Sequence, residues 1–471
     1  MQLYSWLIQK DKRAFCKYCE QTLPNHLNLI KRHDLSSAHI GKINLLKNQL
    51  KIDQEFEKNG AIKQKEAELK ILLFIVKYNL PFTIIEPLVD LVKSVDPTSK
   101  VCKNIQLGRT KGTDIINTLL CAEGTRAIFN VLQKQHFSLI IDETNDVSCK
   151  KCLTLVARYF DSDENITKDT FLAMLELENC DSKSIFDCIV NFFKTHNIPF
   201  NNCIGFAADN ASVMMGKNKG VQALFKEMNP YIYTLGCSCH SLHLCSSSAS
   251  KELPESCEKL AKDIYYHFSH SSQRQCEFQK FQKDFNVPAH KILKLSGTRW
   301  LSYEGVCQRL VEHWLPLKHY FLLNEFENKK AESNNSISQN LTEANFIYLL
   351  FIVFILKMTN NLNKEFQSEQ PKIYKLLPAV KTFILTVLTN FVKRECIDTN
   401  NLGSIDFNDN EIYIEENNIY IGPKAAIEIS KNSLSSEDIL IIKKNCKNYH
   451  IKLCKEIIKR FNFKDEILMA L

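Results

Sequence analysis

The sequence predicts an α/β core enlarged by a mainly α-helical body and preceded by a small N-terminal unit and a helical segment. Three observations point there. The hydrophobic period changes from helical to alternating near residue 134 and back again near residue 250. Between those points the elements read strand, strand, strand, helix, strand, helix, strand. Residues 1–51 hold nine Lys and Arg against three Asp and Glu, which is +6 of a total of +7. The expected division is 1–48, 49–133, 134–250 and 251–471.

A chain of 471 residues has room for about two or three domains. Its 45% hydrophobic and 24% charged residues are ordinary for a folded globular protein. "MQLYSWLIQKDKR" turns charged too early for a secretory signal. "FIYLLFIVFIL", 346–356, is short of the ~20 residues that span a bilayer, and reads as a buried helix. The eighteen cysteines are scattered, so reduced thiols are expected rather than a disulfide framework.

The basic N-terminal stretch contains "FCKYCEQTLPNHLNLIKRHDLSSAHIGK". Cys16 and Cys19 form C-x2-C, and His33 and His39 form H-x5-H. Two thiolates and two imidazoles at this kind of spacing suit tetrahedral Zn²⁺. So short a unit has little core, and the metal is expected to hold it folded. "LNLIKRHDLSSAHIG" is expected to be one helix carrying both histidines, with Trp6, Phe15 and Leu29 as the apolar cluster. His26, beside Pro24, is a competing ligand. Lys12, Arg13, Lys17, Lys31, Arg32 and Lys42 are the expected phosphate contacts. The segment from about residue 4 to 45 resembles a BED-type zinc finger, on its upstream aromatic, Cys pair and "RHDLSSAH" ending.

Residues 48–70 read as a linker that becomes a helix. "AELKILLFIVKYNLPFTIIEPLVDLVKSVDP" reads as helix, Pro break, helix, and residues 100–133 as a further helical pair. "HFSLIIDETND", "CLTLVARYFDSD" and "DTFLAMLELE" are strands. Residues 182–198 form an amphipathic helix with Ser182 as its expected cap. "CIGFAADNA" and "YIYTLGCSCH" supply the last two strands, with a short helix at "GVQALFKEMNP". This is the element order of an RNase H-like domain, a meander followed by right-handed crossovers. Beyond residue 250, 328–340 reads as an Asn/Ser-rich loop. Residues 395–420 read as an exposed excursion, with a small hairpin at "NEIYIEENNIYIG".

In such a sheet the first and fourth strands are neighbours. Asp142 ends the first and Asp209 the fourth. Two carboxylates there can bind Mg²⁺ or Mn²⁺ and support an in-line phosphoryl transfer. Either Asp alone reads equally as a turn residue after a buried strand.

"FSLIIDETNDVSCKKCLTLVARYFD", "FAADNASVMMGKNKGVQALF", "YTLGCSCHSLHL" and "LSGTRWLSYEGVCQRL" follow in this order. Together they resemble the catalytic region of hAT-superfamily DNA transposases, from about residue 65 onward. The resemblance implies that Asp142 and Asp209 are the first two acids of a DDE triad. It matches Cys237 and His240 to a C-x2-H motif and Trp300 to a tryptophan stacking on a flipped base, with Arg299 near a phosphate. It implies DNA as partner, self-association or other protein partners, no membrane, and a nuclear location. Open alternatives are core packing for Trp300, a surface charge at Arg274, and a second zinc site at "CSCHSLH", which adjacent Cys239 and His240 disfavour.

The third acid is not assignable, since Glu428, Glu437, Glu456 and Glu466 read only as helix-surface residues. The return to the core and the dimerisation region are expected to be missing. The expectation is a transposase-derived protein that binds DNA through zinc and lacks complete catalysis. An active transposase and a protein-interaction scaffold are the competing readings.

Overall fold

The computed structural model describes residues 4–295, 302–326, 332–368, 372–399, 401–431 and 434–471. It forms two compact units, Met1–Asn130 and Val131–Leu471.

The first unit opens with a small antiparallel sheet, β1 (Leu7–Lys10), β2 (Arg13–Cys16) and β3 (Gln21–Leu23). Asp11 and Lys12, both at positive φ, form the tight turn between the first two strands. Next come α1 (Leu27–Asp34) and α2 (Ser37–Lys77). The histidine-bearing stretch is therefore two helices, where one was expected. Ser36 breaks it, its hydroxyl accepting the His39 N–H at 3.3 Å as the cap of α2. The break has a geometric reason. Six residues along a continuous helix turn through roughly 600°, leaving the two rings on different faces. The local core is Trp6, Ala14, Cys16, Leu23 and Ile30. Leu29, expected inside, is exposed, and its neighbour Ile30 takes the place.

After α2 the chain turns at Asn79 and Pro81 into a 3-10 turn, Phe82–Ile84, and α3 (Ile85–Val95). Then follow α4 (Lys100–Lys103), α5 (Arg109–Ile115), a π-type turn at Ile116–Leu120, and α6 (Cys121–Leu132). Leu72, Ile75, Ile85, Val89, Ile105 and Leu107 pack together. Glu68, buried beside them, accepts from Lys111 Nζ at 2.7 Å, from the Gln106 N–H at 2.9 Å and from Gln64 Nε2 at 3.1 Å.

The second unit begins with β4 (Phe137–Asn145), β5 (Lys151–Asp161) and β6 (Ile166–Glu176) as an antiparallel meander. Helix α7 (Ser182–Thr195) crosses to β7 (Cys203–Ala208). Helices α8 (Ser212–Met215) and α9 (Val221–Met228) cross to β8 (Tyr233–Gly236). The sheet order is β6-β5-β4-β7-β8, with β7 parallel to both β4 and β8. The first and fourth strands are thus neighbours. Phe137, Leu139 and Ile141 alternate inward on β4, as a strand covered on one face requires. The cap of α7 is Asp181, one residue before the expected Ser182. Its carboxylate accepts the N–H groups of Lys183 and Ser184, a site that favours an anion.

The rest is helical: α10 (Ser238–Ala249), α11 (Glu255–Ser269), α12 (Ser272–Asp284), α13 (Tyr303–Glu312), α14 (Trp314–Phe326) and α15 (Glu332–Asn340). Then come α16 (Glu343–Phe366), α17 (Leu376–Leu388), α18 (Pro423–Ser430), α19 (Ser436–Arg460) and α20 (Glu466–Ala470). Helix α16 is apolar enough by length and composition to cross a membrane, but 67% of that window is buried in the body. Three expectations fail here. Much of the expected Asn/Ser-rich loop at 328–340 is helix α15, with Ile337 buried. The expected hairpin at 410–422 is a pair of 3-10 turns with one isolated bridge, Val392 to Tyr413. That stretch is not an excursion either: Tyr413, Ile419 and Ile421 are buried, because its regularly spaced apolar residues have a core to enter. The C-terminal helices contact the α/β core. Helix α19 packs along α10, and Tyr233 on β8 donates to Asp465 at 3.3 Å.

Candidate metal centre and acidic strand ends

Strand β2 delivers Cys16, the turn after it Cys19, the end of α1 His33, and the first turn of α2 His39. One ligand atom from each lies within 4.8 Å of all the others. His39 Nδ1 is 3.4 Å from Cys16 Sγ and 3.3 Å from Cys19 Sγ. His33 Nδ1 lies 3.2 Å from Gln21 Nε2, and its buried Nε2 has no hydrogen-bond partner. Burial, then the His39 ring, holds His33 below the ordinary imidazole range, with Asp34 opposing. Burial and the neighbouring Cys16 push the Cys19 thiol up. A bound divalent cation reverses that preference, because the thiolate is the ligand. The donor set is that of a Cys2His2 zinc site.

Outer contacts hold the rings. The Trp6 indole packs on both histidines, 5.4 Å from His33 and 4.5 Å from His39 between ring centroids. Trp6 Nε1 donates to Asp34 Oδ1 at 2.7 Å, and that oxygen lies 3.7 Å from His39 Nε2. At that distance Asp34 acts on the His39 ring through its charge, and His39 Nε2 has no hydrogen-bond partner. His26 is exposed and lies outside the group. Lys12, Arg13, Lys17, Lys31, Arg32 and Lys42 are all exposed around it.

The β4–β7 register pairs Ser138 with Gly205, Leu139 with Phe206 and Ile140 with Ala207. Continued two residues, it sets Asp142 level with Asp209. Asp142, expected to end its strand, lies inside β4, which runs on to Asn145 through its pairing with β5; it is exposed, and Asp209, the residue after β7, is half-buried. Asp209 also serves as a turn residue, its Oδ1 accepting the Ala211 N–H at 3.0 Å. The sequence reading missed Glu143. Burial first, then the charges of Asp209 and Asp142, push its carboxyl above the ordinary range, with Lys151 opposing. The sequence shows it only as the acid next to Asp142 in "LIIDETND", with nothing to link it to Asp209. Among the described residues, only the Cys16, Cys19, His33 and His39 group gathers three or more metal-ligating side chains.

Cys237 caps α10 directly after β8. Its N–H donates to Ala208 O at 2.9 Å, and its carbonyl accepts from Asn210 Nδ2 at 2.7 Å. His240 is half-buried one turn along, 6.1 Å from the His243 ring. Arg274 is no free surface charge: it is half-buried and donates to His267 O at 3.2 Å. Glu456 pairs with Lys452 and Arg460, and Glu428 with Lys431. Glu437 and Glu466 lie in the first turns of α19 and α20. Arg299 and Trp300 fall outside the described residues.

Residues 94–220 match the family described as DUF4371, the ZMYM1/FAM200 RNase-like domain. This is a transposase-derived family. The match spans helices α4 to α6, strands β4 to β7, and both Asp142 and Asp209.

Proposed function

We propose that this chain is a transposase-derived nucleic-acid-binding protein that grips DNA through a zinc-held, BED-like finger. The observation that carries the reading is the Cys2His2 group, gathered within 4.8 Å inside the most basic part of the chain. Lys12, Arg13, Lys17, Lys31, Arg32 and Lys42 are the proposed phosphate contacts, supplying affinity rather than sequence choice. The α/β core is read as an RNase H-like, hAT-type relic, on its sheet order and family match. Arg299 and Trp300 are proposed as further DNA contacts of that body, and the nucleus as its location.

Fluorescence anisotropy with a duplex tests this. If all six cations contact phosphates, log K falls against log salt with a slope of about −5. Each Lys→Ala at a true contact lowers the slope by about 1. Cys16→Ala or zinc removal is expected to abolish the tight mode. Unchanged affinity in Cys16→Ala rejects the finger as the DNA-binding element.

The alignment of Asp142 with Asp209 favours a second reading, residual two-metal DNA cleavage. It requires Mn²⁺- or Mg²⁺-dependent nicking that disappears in Asp142→Asn and Asp209→Asn. Equal nicking by wild type and both variants assigns any observed cleavage elsewhere.

A further inference from the structure

The metal group and the cations leave one face of α1 unexplained. Ile30, His33 and Asp34 fall on one side of this helix, at i, i+3 and i+4. That side turns inward: Ile30 is buried, His33 packs on Trp6, and Asp34 accepts from Trp6 Nε1. The opposite side carries Asn28, Lys31, Arg32 and, at the C-cap, Leu35, at i, i+3, i+4 and i+7. All four are exposed, and Leu35 stands 77% exposed. Asp34 is the sole acid of α1, so the outer face carries positive charge alone.

The order around the helix is informative. At about 100° per residue, Asn28 and Leu35 lie within roughly 20° of one line, and Lys31 and Arg32 stand about 50° to either side of it. An amide and an apolar tip therefore run down the middle, between two flanking cations. The major groove of B-form DNA matches that layout. It is wide enough for a helix, walled by phosphates on both sides and floored by base edges.

We propose that α1 enters the major groove of duplex DNA and that Asn28 chooses the sequence there by pairing with an adenine edge. This rests on the reading of the finger as the DNA-binding element. Asn28 Nδ2 donates to adenine N7, and its Oδ1 accepts from the adenine N6 amino group. Leu35 supplies an apolar contact to a thymine methyl. Lys31 and Arg32 reach the phosphates of the two groove walls and keep their role in affinity. Seven residues of helix rise about 10.5 Å and base pairs stack about 3.4 Å apart, so the adenine and the thymine lie about three base pairs apart. Duplex RNA offers no such site, because its major groove is too deep and narrow for side chains to read.

The experiment uses the zinc-loaded full chain and a pool of random duplexes, from which the tightest binders are selected and sequenced. Anisotropy then compares the selected duplex with a scrambled one. The expected site holds a fixed A·T pair, and Asn28→Ala is expected to lower the selected-to-scrambled affinity ratio by roughly 10–100-fold. The salt slope, set by the phosphate contacts, keeps its wild-type value in that variant. Lys31→Ala instead weakens both duplexes alike and lowers the slope by about 1. Zinc stoichiometry by chelator competition checks that each variant is folded. The proposal is overturned if Asn28→Ala selects the same sites as wild type, or if it weakens both duplexes equally. Wild-type binding that is equally tight on every duplex overturns this inference and leaves the finger reading standing. Binding to no duplex removes both.

Discussion

Asp34 connects Trp6 to the ring of His39, so a single carboxylate serves both the core of the finger and its metal ligand. Asp34→Ala is expected to weaken zinc binding by roughly 10–100-fold, read by competition with a chromophoric chelator. Gly205 is a second residue whose identity is set by contact. A Cβ there would stand 2.3 Å from Ser138 Oγ and 2.9 Å from Ser138 Cβ, across the β4–β7 pair. Gly205→Ala is expected to cost about 1–3 kcal/mol in denaturant unfolding. Ser138→Gly in the same chain should recover more of that loss than Ser138→Ala, because the Ala retains the clashing Cβ.

Among elements, the Glu68 clasp ties α2 to the segment around Gln106 and to α5. Burial opposes ionisation of Glu68, but the bonds from Lys111, Gln106 and Gln64 together outweigh it and hold the carboxyl below its usual range. A depressed folded value gives stability that is present above the unfolded pKa, about 4.3, and is lost as pH falls through the folded one. Glu68→Gln is expected to destabilise the first unit by about 1–3 kcal/mol at neutral pH. The variant should also show a flatter stability profile than wild type below about pH 4.3. A parallel loss in both chains would remove the assignment to Glu68.

At the scale of the whole molecule, the two units differ in what holds them. The finger's core is Trp6, Ala14, Cys16, Leu23 and Ile30, whereas the second unit has an extensive buried core around α16 and α19. Chelation is expected to abolish amide protection over β1 to β3 and α1 while leaving β4, β5 and β7 protected, read by hydrogen exchange. The element order of the second unit was legible because strand and helix periods differ and the chain alternates between them cleanly. The Cys16, Cys19, His33 and His39 group was legible because its two pairs are closely spaced. What escaped was set by contacts distant in sequence or by choices between adjacent residues. Polar 332–340 became helix with Ile337 buried, and 410–422 found a core for Tyr413 and Ile419. Asp181 displaced Ser182 as a cap because a carboxylate serves two helix N–H groups better. Glu143 was hidden because nearness to Asp209 comes from strand pairing, not from spacing.

The break at Ser36 has one more consequence. His39 belongs to the first turn of a helix of 41 residues, roughly 60 Å of rod, while the other three ligands lie before that helix begins. A metal bound to all four is therefore a rivet between the finger and the rod, and its occupancy sets the angle at which the rod leaves.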